Sequence, residues 1–241
     1  MANFNRLLTL NTAVRDVMGP LGLAVPLSVT DSLDKTALQM WALANKVGEE
    51  LMNAEDWQVL SKDMIITTDG VTKIYPLPED FDHFIQDSSW NQTTRLPMLG
   101  SLSEPEWQQL KARNLGGTTF AMLFRVTNDN LELYDPGSSP QTLVLPYMGR
   151  GWVRNAANEL KDVLEFNDDR ILFDPALFKA ALKLAFMIAK GFDAMAAKFE
   201  YDKALAAAAG KQAPARTLSL GQPHYPYLGE NNLPYTGYGI V

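Results

Sequence analysis

Asp174-Pro175-Ala176-Leu177-Phe178-Lys179 opens a run that continues through Leu184, Ile188, Phe192, Met195 and Phe199 and closes in Ala206-Ala-Ala-Ala-Gly210. Asp174 is an N-cap residue, and Pro175 stands at the first helical position, where its missing N–H costs nothing. Gly210 is placed as a C-cap. Between them Leu177, Ala181, Leu184, Ile188, Phe192, Met195 and Phe199 recur every three or four residues, the period of one helix face. Phe178, Leu182 and Phe186 add a second apolar stripe in the first half. The spacing therefore predicts one long helix over 174–210, packed on two sides. The rest of the chain must supply its neighbours.

Two further helices fit that role. Leu7, Leu10, Val14 and Val17 share a face, and Gly19-Pro20 ends the segment. After an apolar loop at 21–29, Asp31 or Ser32 is placed to cap a helix whose face is Leu33, Ala37, Met40, Ala44, Val47 and Leu51. Gly48 inside it costs about 1 kcal/mol relative to alanine, so close approach of another helix is its expected use. One face of the long helix should pack on these two helices. The other, Phe178, Leu182 and Phe186, is expected either to cover neighbouring β structure or to meet another subunit.

Past Trp57 the pattern changes to strands. Met64-Ile-Ile-Thr-Thr68 and Val71-Thr-Lys-Ile-Tyr75 flank Asp69-Gly70, a two-residue hairpin signal, and Pro76 and Pro78 stop the second run. Ser103-Glu-Pro-Glu106 has capping-box spacing and predicts a short helix to about Arg113, before Gly116-Gly117. Strands are expected at 120–126 and 131–134 around an Asn128-Asp129-Asn130 turn, then at 143–147 and at Trp152-Val153. Helix is expected again over 155–166. The fold class read from this is α+β: an antiparallel helical bundle built from N- and C-terminal helices, with an inserted β-rich module and an extended C-terminal arm. The divisions are 1–56, 57–154, 155–210 and the arm at 211–241.

That arm holds Tyr225, Tyr227, Tyr235 and Tyr238 with four prolines, and it shows neither helical nor strand periodicity. Aromatic residues with proline and few charges are not the composition of a solvated linker. It is expected to lie extended on a surface, its own or a partner's, with the four tyrosines as contacts.

The totals narrow the function classes. The chain has 241 residues, 46% hydrophobic and 20% charged, which suits one large or two small folded domains. Zero cysteines exclude disulfides and thiolate metal sites. Met1-Ala-Asn-Phe-Asn-Arg6 lacks a basic start followed by an apolar run, and no window reaches the roughly 18–20 apolar residues of a membrane span. A net charge of −7 argues against a broad phosphate-neutralising surface.

The search for chemistry yields no catalytic, cofactor or metal residues. His83, in Asp80-Phe-Asp82-His83, has the look of a carboxylate-oriented base but no identifiable nucleophile or oxyanion site. His224 lies in the arm. Asn167-Asp168-Asp169, and Asp129 with Asp135, lack calcium-loop spacing and read as caps and turns. Gly149-Arg150-Gly151 and Gly116-Gly117 lack phosphate-loop context. Lys179, Lys183 and Lys190 form a basic stripe that reads as a solvated helix face. Nothing selects a glycosidase pair among 28 acidic residues.

The order of short motifs carries more. Glu55-Asp56-Trp57 comes just after a helix end, and Tyr75-Pro-Leu77-Pro78-Glu-Asp80-Phe81 follows the β-rich run. Trp90 and Arg95-Leu-Pro97-Met-Leu99 precede Glu106-Trp107-Gln-Gln-Leu110. Then come Leu131-Glu-Leu133-Tyr-Asp-Pro136, Trp152-Val153 and Ala189-Lys190-Gly191-Phe192-Asp193. In this order, from Leu51 onward, the chain resembles the head–tail adaptor (connector) proteins of short-tailed phages, the tail tubular protein A-like group. It departs from them at Leu184-Ala-Phe186, where relatives often carry tryptophan and arginine. The resemblance implies a non-enzymatic virion protein at the head–tail junction, made in the host cytoplasm. It implies a homo-oligomeric, dodecameric ring beneath the portal protein that closes the filled head, retains packaged DNA and carries the tail nozzle or fibres. Double-stranded DNA would pass through its lumen without sequence-specific binding, and no membrane insertion is expected. Two alternatives stay open: another neck component such as a nozzle or stopper, and a tail-associated peptidoglycan hydrolase.

Overall fold

The computed structural model describes residues 7–113 and 122–212. The chain begins with β1 (Leu8–Thr9), α1 (Leu10–Met18) and α2 (Lys35–Met52). A β-rich stretch follows: β2 (Ser61–Thr67), β3 (Ile74–Pro76), β4 (Phe81–Phe84), β5 (Trp90–Asn91) and β6 (Leu96–Pro97). After α3 (Glu104–Arg113) come β7 (Phe124–Thr127), β8 (Asn130–Leu133), β9 (Thr142–Gly149) and β10 (Val153–Arg154). The last elements are β11 (Leu160–Lys161), β12 (Arg170–Ile171), α4 (Pro175–Lys190) and α5 (Met195–Gln212).

Among the described residues the strands form three antiparallel sheets. The expected class was mixed α+β, and that much stands. The expected architecture, a helical bundle with an inserted module, is corrected: among the described residues twelve strands accompany only five helices, and strands occur beside the terminal helices themselves. β1 precedes α1, β12 precedes α4, and the two pair with each other, Leu8 opposite Ile171. β12 also pairs β10, completing a four-stranded sheet in the order β1-β12-β10-β11. α1, α2 and α4 pack on this sheet, so one core contains Leu10, Val47, Trp152, Ile171, Phe173 and Phe178.

Local chemistry explains where the helices start. The Thr9 hydroxyl accepts from the Thr12 N–H at 3.3 Å and opens α1. Asp34, not Asp31 or Ser32, caps α2 by accepting from the Thr36 N–H at 3.2 Å. Asp174 accepts from the Ala176 N–H at 2.9 Å. In α3 the Glu106 carboxylate accepts from the Ser103 N–H at 2.8 Å and its hydroxyl at 2.6 Å, the capping-box contact that the spacing predicts.

The long helix over 174–210 is two helices. Gly191, at φ 71°, ends α4, its N–H and that of Phe192 donating to the carbonyls of Ile188 and Met187 at 3.0 Å. Glycine takes that left-handed conformation without the Cβ clash other residues meet. Asp193 then accepts from the Met195 N–H at 3.0 Å and starts α5. Lys183 pairs with Glu200, and Lys211 with Asp174, each at 2.7 Å, which fixes the two helices as an antiparallel hairpin. Gly210 lies inside α5 and caps nothing.

The other two sheets share a second core of Ile66, Met98, Phe124, Leu131, Leu143 and Leu145. β9 is its axis, pairing β2 along seven residues and β4 and β5 on its opposite edge. The hairpin expected across Asp69-Gly70 does not form: β2 pairs β9, while β3 pairs β8 in the third sheet, β3-β8-β7. Asp69 accepts from both Val71 and Thr72 backbone N–H groups, a wide side-chain-bonded turn that carries the chain from one sheet to another. The Asn128-Asp129 turn does join a hairpin, both residues having positive φ. The helix expected over 155–166 is replaced by a turn, in which the Asn155 side chain accepts from the Glu159 N–H at 2.8 Å, and by β11.

Gly48 faces an aromatic ring where a helix was expected. A Cβ there would sit 2.1 Å from the Trp152 indole, which stacks on Phe173 and Phe178 at 5.9 and 6.2 Å. The glycine is the space the indole occupies.

Candidate functional site

Tyr225, Tyr227, Tyr235, Tyr238 and His224 lie outside the described residues, as does Gly116-Gly117. Phe178, Leu182 and Phe186 are buried in the first core. That face of α4 packs within the chain.

The other end of the same run is open to solvent. Ile188, Phe192, Met195 and Phe199 are 62, 60, 78 and 73% exposed. They surround the α4–α5 turn. α5 packs instead through Ala197, Tyr201, Ala204, Leu205 and Ala208, a face rotated away from Met195 and Phe199. Ile188 also lines a groove of about 240 Å³ between α2, α4 and α5, with Leu43, Val47, Leu184, Ala185 and Tyr201. Exposed apolar residues grouped at one end of a helix pair make a candidate interaction surface.

The basic stripe is held by partners. Lys179 pairs with Asp16 at 3.2 Å, Lys183 with Glu200, and Lys190 lies over the Phe186 ring. Asn167 is structural: its amide oxygen accepts from the Val29 and Thr30 N–H groups, and its nitrogen donates to Ser28 and Thr30 hydroxyls. Asp169, buried, accepts from the Glu165 and Phe166 N–H groups. Asp129 sits in the β7–β8 turn, and Asp135 accepts from the Gly137 N–H.

His83 bridges two carboxylates. Nδ1 lies 2.8 Å from Asp82 and Nε2 lies 3.1 Å from Asp56, which belongs to the segment after α2. Arg150 reaches the other oxygen of Asp82 at 3.1 Å. Partial burial works against the charged ring, but the bonds to Asp82 and Asp56 outweigh it and hold His83 above its ordinary value. Burial likewise penalises the Asp82 carboxylate, and the bonds from His83 and Arg150 outweigh it and hold Asp82 low. With both nitrogens occupied by carboxylates, the ring is arranged as an ion-pair bridge between β4 and the end of α2.

Among the described residues no group of three or more histidine and carboxylate side chains is set to hold a metal ion. No helix among them is long and apolar enough to cross a membrane. The chain matches no known protein-family profile and no curated protein sequence.

The exposed hairpin end escaped sequence reasoning because Phe192, Met195 and Phe199 continue the period of α4 unbroken. Lys190-Gly191 followed two residues later by Asp193 was the available signal: a stop and a new cap inside an apolar run.

Proposed function

We propose that this chain is a subunit of a virion ring joining a phage head to its tail, beneath the portal. The observation that carries the reading is the apolar end of the α4–α5 hairpin, whose four large side chains stay mostly exposed among the described residues of one chain. Such a surface fits a protein whose work is assembly. The ordered motifs from Glu55-Asp56-Trp57 to Ala189-Lys190-Gly191-Phe192-Asp193 give the assembly its kind: a homo-oligomeric, dodecameric ring contacting the portal, with nozzle or fibres attached and DNA passing through. The net charge of −7 suits a lumen through which DNA slides without being gripped. The tyrosine arm is the second contact, reaching the portal or an adjacent subunit.

The chain mixed with its portal protein should give a joint ring in electron micrographs. A Phe192→Ser/Phe199→Ser variant should remain folded and fail to assemble. Normal rings from that variant would remove the hairpin as the assembly surface. The rival reading as a nozzle or stopper places the same ring elsewhere in the neck, so its position in an intact particle separates the two.

A further inference from the structure

β2 has an open edge. It pairs β9 in unbroken register from Ser61–Met148 to Thr67–Thr142, and no described strand pairs its other side. Its inward residues, Lys62, Met64 and Ile66, are covered to differing degrees, whereas Asp63 and Ile65 stand in solvent, Ile65 66% exposed. An edge of this length with an exposed branched apolar residue is one that folded proteins usually cover.

The end of α5 is fixed beside the start of that edge. Gln212 accepts from the Gln58 N–H through its side chain at 2.7 Å, and from the Gln58 side chain through its carbonyl at 2.9 Å. Gln58 lies three residues before β2 begins. The last described residue therefore sits beside the start of that edge. Beyond it, Arg216-Thr217-Leu218-Ser219-Leu220 contains neither proline nor glycine and puts its two leucines on one side of an extended strand, before Gly221-Gln-Pro223 interrupts it. Four extended residues from Gln212 reach about 13 Å, enough to bring Arg216 level with the first half of β2.

We propose that residues 216–220 of the same chain add to the open edge of β2 as a parallel strand, with Arg216 beside Asp63 and Leu218 beside Ile65. The charges are complementary, since Asp63 forms no ion pair among the described residues, and Leu218 covers the exposed isoleucine. Main-chain bonds supply the attachment, as in other cases of strand addition. The tyrosines then leave from the Thr67 end of the sheet, aimed by the strand rather than tethered loosely at α5. The inference concerns the isolated chain and does not rest on the ring reading.

Hydrogen exchange on the full chain, without portal, tests it. Those β2 amides that do not face β9 should exchange about tenfold more slowly in the unaltered chain than in a Leu218→Pro variant, which cannot donate from the middle of the added strand. The Leu143 and Leu145 amides of the second core serve as the folded reference. Equal exchange at β2 in the two proteins overturns the proposal. Because the natural chain has no cysteine, an Ile65→Cys/Leu218→Cys pair identifies the occupant. A disulfide closed within one chain supports the assignment. A disulfide joining two chains, or none, overturns it.

Discussion

The inner face of α4 and the outer face of α5 carry side chains of the same kind and meet opposite surroundings. Phe178, Leu182 and Phe186 lie in the first core against Trp152 and its neighbours, while Met195 and Phe199 stand in solvent. The difference comes from the turn between them. Gly191 ends one helix and Asp193 begins another, so the apolar phase set in α4 no longer points at the core in α5. α5 meets the fold through Tyr201, Leu205 and small alanines, a different face from that of Met195 and Phe199. An apolar period identifies a face that needs cover, and packing decides whether the chain itself supplies it.

The sharpest test of that contrast pairs the two phenylalanines. Phe178→Ala should lose about 3–5 kcal/mol of stability in denaturant unfolding, because it empties a fully enclosed site. Phe199→Ser should stay within about 0.5 kcal/mol by the same measurement, and its effect should appear in assembly instead. A large loss of stability at Phe199 would mean that the hairpin end is covered within the chain.

Next in size is Gly48→Ala, which sharpens the core side of the comparison. The new methyl group meets the Trp152 indole, and about 1–3 kcal/mol should be lost, with a change in tryptophan fluorescence reporting the displaced ring. A neutral outcome would show that the stacked aromatic layer has slack.

Gly191→Ala addresses the turn. Alanine at φ 71° should cost about 1–2 kcal/mol, read as a lower thermal midpoint. If stability is unchanged, the turn does not depend on glycine and some other contact resets the phase.

The smallest effect expected is pH-dependent. His83 is held above 6.5, so its bridge contributes fully below that pH and is lost as pH rises through the raised value. Asp82 is held low, so its share is present above 3.8 and disappears as pH falls through its lowered value. Replacing His83 with glutamine should flatten the decline in stability on the alkaline side of 6.5. An unchanged slope there would remove the bridge as its source.

Much of the helical content was legible because caps are local. Asp174-Pro175, Ser103 with Glu106 and the Asn128-Asp129 turn all act within four residues. The sheets were not legible for the opposite reason. β1 and β12 are two-residue strands whose partners lie far away in sequence, too short to show alternation. Asp69-Gly70 carried a hairpin signal, but β2 found seven residues of pairing in the distant β9, and β3 joined β8 in another sheet. The 155–166 segment misled through its acidic, helix-tolerant composition, while Asn155 and Asn158 diverted the backbone into a turn. Of the candidate surface, the apolar residues were visible and their exposure was not.

The pairing of Leu8 with Ile171 also orders events in time. The second core draws on residues 64–145 and can close as soon as β9 has left the ribosome. The first core cannot, because Leu10, Val14, Met40 and Val47 must wait for Phe173, Phe178 and Phe186 to be synthesised. At roughly 5–20 residues per second, that leaves two amphipathic helices uncovered for several seconds behind a sheet domain that is already finished. The earliest-made part of this protein is thus the last to be protected, and it is there that a nascent chain is most exposed to misassembly and most in need of a chaperone.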